Sequence, residues 1–264
     1  MKANPKIIFL HIPKTAGTSL RQIIETEYPG EACLFLYYPA PFQPAVITEI
    51  QAQLPRAKAL YGHCSFGIHQ FLGIEAQYVA FLRNPIDRVI SFYNHNARQP
   101  NTPYYAAIQN GMSLLELLES HKPEFNNHIT RMIAPYGEEQ MLDDSLVLEQ
   151  ALENIDQHFG FIGLVEKFTE SVNLLGAKLG WKTAYPRIPY LNLTPTQPFW
   201  FEKTLENLER HIHFRSWLKK MKLLQNDKTS KYCDKVDEQT RVALKKYNRL
   251  DILLYQYVKN TLFK

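Results

Sequence analysis

The sequence predicts an α/β protein in three layers, with a central, mostly parallel sheet flanked by helices. Three short apolar runs, Ile7–Leu10, Ala57–Tyr61 and Tyr78–Leu82, have the length of buried strands. Each is followed by a helical pattern or a loop. Each is also followed at once by residues able to do chemistry, and open parallel sheets bind ligands at that carboxyl edge.

The first unit is the most informative. After Ile7-Ile8-Phe9-Leu10 comes a tight turn, Pro13-Lys14-Thr15-Ala16-Gly17-Thr18-Ser19, and then Leu20, Ile23, Ile24 and Tyr28 recur at helical spacing. A loop that opens a helix presents backbone N–H groups where the helix dipole favours an anion. Lys14 adds a mobile positive charge, and Thr15, Thr18 and Ser19 add hydroxyl donors. An ordinary strand-to-helix connection needs no such lysine. The loop matches neither G-x-x-x-x-G-K-[ST], because Lys14 precedes Gly17, nor G-x-G-x-x-G.

Val46, Ile47, Ile50 and Leu54 mark a helix before the second run, which leads into Gly62-His63-Cys64-Ser65-Phe66-Gly67. Histidine suits the removal of a proton near neutral pH, although a lone histidine after a strand is as readily structural. A Cys64–His63 dyad is disfavoured, since sequence neighbours rarely face each other and no second activating group is evident. The third run ends in Arg83-Asn84-Pro85. Ile86, Val89, Ile90 and Tyr93 then form a helical stripe, with proline suitably placed at its start. An arginine fork at a strand end and the hydroxyl of Ser91 suit a phosphate, or equally a capped helix and a solvated serine.

Further on, Ser113-Leu114-Leu115-Glu116 is a capping box, and Leu148, Ala151, Leu152 and Ile155 have helical spacing. Phe159–Leu164 reads as another buried strand, Phe168, Val172, Leu175 and Leu179 as the helix behind it, and Leu250–Tyr255 as a closing helix. Residues 181–198 carry four prolines and read as loop. Residues 199–235 are basic and aromatic. The His211 and His213 pair within them lacks a third ligand and reads as a solvated surface pair. Asn126, Asn127 and Arg131, with the aromatic stretch 100–105, are candidates for an acceptor wall. The competing reading of Asn127 and Arg131 is a helix cap and a surface ion pair.

The 264 residues, 45% hydrophobic and 21% charged, support a packed core, read as one domain over 1–264 with insertions near 99–135 and 199–235. A net charge of +4 without a basic, aromatic-interleaved stripe argues against nucleic acid. Three scattered cysteines suit a reducing compartment. The first apolar run is too short for a signal peptide, and no stretch reaches the length of a membrane span.

Ile-Pro-Lys-Thr-Ala-Gly-Thr-Ser resembles the 5'-phosphosulfate loop of sulfotransferases that use 3'-phosphoadenosine 5'-phosphosulfate (PAPS). Arg-Asn-Pro-x-x-Arg-x-x-Ser-Phe-Tyr resembles their 3'-phosphate motif. The likeness is to the carbohydrate group, which includes the heparan sulfate 2-O- and 6-O-sulfotransferases and their bacterial relatives. It implies a P-loop-like fold and an enzyme that moves a sulfuryl group from PAPS to an acceptor hydroxyl by in-line displacement, leaving PAP. Lys14, Thr15, Ala16, Gly17, Thr18 and Ser19 would hold the 5' end, and Arg83 and Ser91 the 3' phosphate. His63 in its Gly-His turn would be the base, helped by Lys14 at the leaving phosphate. Leu191-Asn192-Leu193-Thr194 resembles a segment returning to the cofactor, which adds Asn192 and Thr194. The stretch around Glu166 also resembles the family, without a role for that residue. Asn126 to Ile133 resembles a further motif, with Asn127 and Arg131 facing a saccharide. No metal is implied. Lacking the stem and anchor of the Golgi members, the chain is expected to be a cytoplasmic, bacterial-type member. The alternatives are an ATP- and magnesium-dependent phosphotransferase and a non-catalytic binding protein on the same scaffold.

Overall fold

The computed structural model describes residues 6–36, 44–134, 144–185 and 236–262. Within them the chain runs β1 (Lys6–Leu10), α1 (Gly17–Glu27), β2 (Cys33–Leu36), α2 (Pro44–Gln53), β3 (Ala59–Gly62), α3 (Ile68–Leu72), β4 (Ala76–Leu82) and α4 (Pro85–Asn96). It continues through α5 (Tyr105–Gln109), α6 (Leu114–Glu119), α7 (His128–Ile133), α8 (Asp144–His158), β5 (Phe159–Leu164), α9 (Phe168–Leu179), α10 (Glu238–Tyr247) and α11 (Arg249–Leu262).

The strands form one sheet in the order β2-β3-β1-β4-β5, and every pairing is parallel. This is the expected α/β arrangement with a parallel central sheet: β1, with its loop and α1, lies at the centre. After β3 the chain crosses to the other side of β1, so the carboxyl end of β1 sits at the switch point where such sheets open a crevice.

Alternation along the strands sorts the core into two faces. Phe9, Tyr61, Val79 and Phe81 bury one face under Leu20, Ile23 and Ile24 of α1 and Phe168, Val172 and Leu175 of α9. Ile8, Leu10, Leu60, Tyr78, Ala80 and Leu82 bury the other under helices that include α8 and α11. Each such large side chain contributes about 1.5–3 kcal/mol when fully buried. A third cluster joins α4, α6 and α10 around Phe125.

The helix signals hold. The Asn84 side chain accepts from the N–H groups of Ile86 and Asp87, with Pro85 in the first turn of α4. Ser113 and Glu116 form their capping box at α6. Strand β2 has no counterpart in the sequence reading; Cys33–Leu36 is a four-residue edge strand. Among the described residues no helix is long and apolar enough to cross a membrane. The loop at 186–198 and the His211/His213 pair lie outside the described residues.

Candidate active site

Leu10 is in register with Gly62, and the N–H of His11 bonds the Gly62 carbonyl at 2.9 Å, so the ladder runs one step past the strand ends. The next residues in that register are His11 and His63. Parallel neighbours share a face, and the two imidazoles stack with centroids 4.3 Å apart and planes 24° from parallel. Tyr61 covers the other side of His11, at 5.1 Å and 25°. Alternation puts Arg83, two residues after Phe81, on this same face of the sheet.

His63 itself is exposed at the crevice, and its Nδ1 donates to the His11 carbonyl at 3.0 Å. A carbonyl can only accept, so the proton is on Nδ1 and the neutral ring keeps Nε2 as its basic nitrogen. Loss of hydration along the ring pulls the His63 pKa below its usual value, opposed by that hydrogen bond.

The loop before α1 is built around strained backbone. Lys14 and Ala16 are both left-handed, at φ 73° and 63°. For residues other than glycine this costs about 1–3 kcal/mol each and is typical of ligand loops. Ala16, at the N-cap, offers no side-chain acceptor to the first N–H groups of α1. Such uncapped groups suit an anionic ligand. The Tyr61 hydroxyl donates to the Gly17 carbonyl at 2.8 Å. A Cβ on Gly17 would stand 1.7 Å from Nε2 of His11, so only glycine lets the loop close over that ring.

The loop is also crowded with positive charge. Burial, then Arg83 and Arg98, pull the Lys14 pKa below the usual lysine value. His95 is lowered by burial, then by Lys14 and Arg98. The Arg83 guanidinium donates to the Lys14 carbonyl at 3.4 Å, joining the two motifs across the crevice. Like charges gathered this way are relieved by an anion. The uncapped helix and the cation cluster therefore both fit a phosphate-bearing ligand.

Some candidates are placed otherwise than expected. The Thr15 hydroxyl is buried and donates to the Ile12 carbonyl at 2.8 Å, so it staples the loop instead of serving as a free donor. Asn127 is buried; its Oδ1 accepts from Leu250 N at 2.9 Å and its amide donates to Asn126, which ties it to the start of α11. Arg131 pairs with Asp144 at 3.4 Å. Asn127 thus makes a structural bond to the first turn of α11, and Arg131 makes the ion pair of the competing reading. Tyr104, from the aromatic stretch, donates to Glu124 and packs on Phe92 and Phe125. Ser91 is half-buried on the second turn of α4, and Thr18 is exposed at the start of α1. Ser19 is buried one residue further on. Asn192 and Thr194 lie outside the described residues.

Cys64 is buried, and burial pushes its thiol up to about 12, which disposes of the dyad. Glu166 acquires a role: its carboxylate accepts the N–H of Asn84 at 2.6 Å and so holds the turn that aims Arg83. Sequence missed this because the partners are 82 positions apart.

Two histidines next to this site make it sensitive to acid. Burial first, then His63 and Lys14, push His11 down to about 3. Burial first, then Arg88 and His63, push His128 down to about 3. Unfolding frees both rings, so below about 6.5 the unfolded chain takes up protons that the folded one refuses until about 3. Their stabilisation is complete above 6.5 and is lost as pH falls toward 3, at about 1.4 kcal/mol per pH unit for each ring. Urea unfolding is expected to show stability falling by on the order of 2 kcal/mol per ring between about pH 7 and about pH 5. Phenylalanine at both positions should flatten that slope; an unchanged slope rejects the account.

A family model described as "Sulfotransferase family" matches residues 1–258. The chain belongs to the sulfotransferase family. No curated protein matches the sulfotransferase chain. Among solved structures, it is similar to a mouse sulfotransferase, SULT7A1, complexed with PAP, at 18% identity and a TM-score of 0.42, covering 69% of this chain and 61% of that one. It is also similar to a sulfotransferase from Alicyclobacillus acidocaldarius, at 15% identity and a TM-score of 0.42, covering 73% of this chain and 87% of that one. This sulfotransferase thus spans about three fifths of the length of the mouse chain.

Proposed function

We propose that the protein transfers the sulfuryl group of PAPS to a hydroxyl group, with His63 as base and a saccharide as the acceptor. The observation that carries this reading is the junction at one sheet edge of an uncapped helix start, a crowd of cations and a tautomerically fixed imidazole. The saccharide rests on the likeness of the loop and Arg-Asn-Pro motifs to the carbohydrate group.

PAPS would supply an activated sulfuryl group and a leaving phosphate. The N–H groups at the start of α1, Lys14 and Thr18 bind the 5' end, and Arg83, with Ser91, binds the 3' phosphate. Nε2 of His63 takes the acceptor's hydroxyl proton as the new oxygen–sulfur bond forms. The electron pair of the broken sulfur–oxygen bond goes to the phosphate oxygen, where Lys14 and the loop N–H groups stabilise it. They face that charge before it appears, so little reorganisation is needed. Glu166 keeps the turn after Arg83 in place. The whole chain, 1–264, is read as one domain.

Calorimetry with PAP tests the binding half of the reading. Wild type should bind PAP without magnesium, and Arg83→Ala should lose about 1.5–3 kcal/mol, the value of a charge-assisted hydrogen bond. Equal affinity in both proteins, or stabilisation by ATP with magnesium but not by PAP, rejects the assignment. Labelled PAPS offered with a panel of glycans and small alcohols then tests the acceptor class.

A further inference from the structure

His11 has no role in the reaction just described, yet it occupies the centre of the site. Its ring is the middle member of a pile, Tyr61–His11–His63. One end of the pile is anchored, because the Tyr61 hydroxyl is bonded to the Gly17 carbonyl. The edge of the ring lies in the space that a side chain on Gly17 would fill. Among the described residues its buried Nδ1 has no hydrogen-bond partner.

We propose that the His11 side chain is a positioning residue for His63: its ring, clamped between Tyr61 and His63 and seated against Gly17, fixes the plane of the His63 imidazole and keeps water off one of its faces. The inference rests on the reading of His63 as base. The contact makes two separate contributions. The main-chain carbonyl of residue 11 sets the tautomer of His63, and the ring of residue 11 sets its orientation and hydration. Because Tyr61 and Gly17 belong to the same pile, the anion loop and the base are braced against each other. Among the described residues, the titratable groups facing this pair include Lys14 from the loop, His128 from α7 and Tyr61 from β3. None of these three is a carboxylate, so protonated His63 finds no counter-charge among them.

The test compares His11→Ala with His11→Phe, following the His63 ring by NMR as a function of pH and measuring kcat, KM and PAP affinity. Alanine opens a face of His63 to water. Its titration should move up toward 6.5, the ordinary histidine value. Turnover should fall roughly 10²-fold, the scale of a misplaced reacting group, with PAP affinity unchanged. Phenylalanine restores a flat ring without nitrogens, and should keep both the His63 titration and most of the turnover. Should the alanine variant fail to fold, His11→Leu replaces it, filling the space without a flat face. A His63 titration that stays at the wild-type position in the alanine or leucine variant overturns the proposal, as does a phenylalanine variant as perturbed as alanine. His63→Ala, run alongside, separates the two ideas: if it retains turnover while His11→Ala shifts the His63 titration, the base assignment fails and the positioning role stands.

Discussion

Alanine at position 63 should slow turnover by roughly 10²–10⁴-fold, the usual contribution of a placed general base. PAP affinity should hardly change, because the His63 ring bonds a backbone carbonyl and stacks on His11 instead of joining the cation cluster. The pH profile is the sharper readout. On the proposed reading His63 works only when neutral, and its pKa is lowered by desolvation. The acid limb of kcat/KM should therefore lie below the 6.5 of an ordinary imidazole, and the alanine variant should lack that limb. Parallel losses of turnover and PAP affinity would show that His63 shapes the pocket instead of taking a proton.

The second large effect concerns Lys14. On the proposed reading, Lys14→Met removes the cation that faces the leaving phosphate and should cost about 10²–10³-fold in single-turnover rate, as loss of a preorganised charge donor does. The sign of its effect on stability is opposite. In the free protein Lys14 is half-buried and pressed by Arg83 and Arg98. Removing it relieves that repulsion, so thermal unfolding without ligand should occur at the same or a higher temperature. Binding-site residues often show this trade of stability for activity. A variant that is both inactive and less stable would point to Lys14 as a structural support of the loop.

Much of the fold was legible because the signals are local. Three apolar runs announced β1, β3 and β4, and Pro85, Ser113 and Glu116 announced their helix starts. Strand β2 escaped because four residues at a sheet edge carry too little pattern. Lys14, Gly17, Arg83 and His63 were legible because each follows a strand end. His11 was not, since its importance comes from the register of β1 against β3 and the two histidines are 52 positions apart. The Thr15 hydroxyl and the Asn127 amide were open to two readings from sequence, as ligand groups or as structural bonds. Only the positions of Ile12 and Leu250 decided between them. Glu166 belongs with His11: its partner is brought to it by the parallel pairing of β4 and β5.

The bond that orients the His63 proton has a consequence for how the protein tolerates mutation. Its acceptor is the peptide oxygen of residue 11, which every amino acid carries. No codon change at position 11 deletes it, so the choice of basic nitrogen is inherited from the backbone and survives side-chain drift. What would abolish it is a one-residue slip of β1 along β3, and such a slip would also swap Ile8 and Leu10 with Phe9 between the two packed faces of the sheet. Any sequence that still folds this way therefore keeps its imidazole facing the same way round.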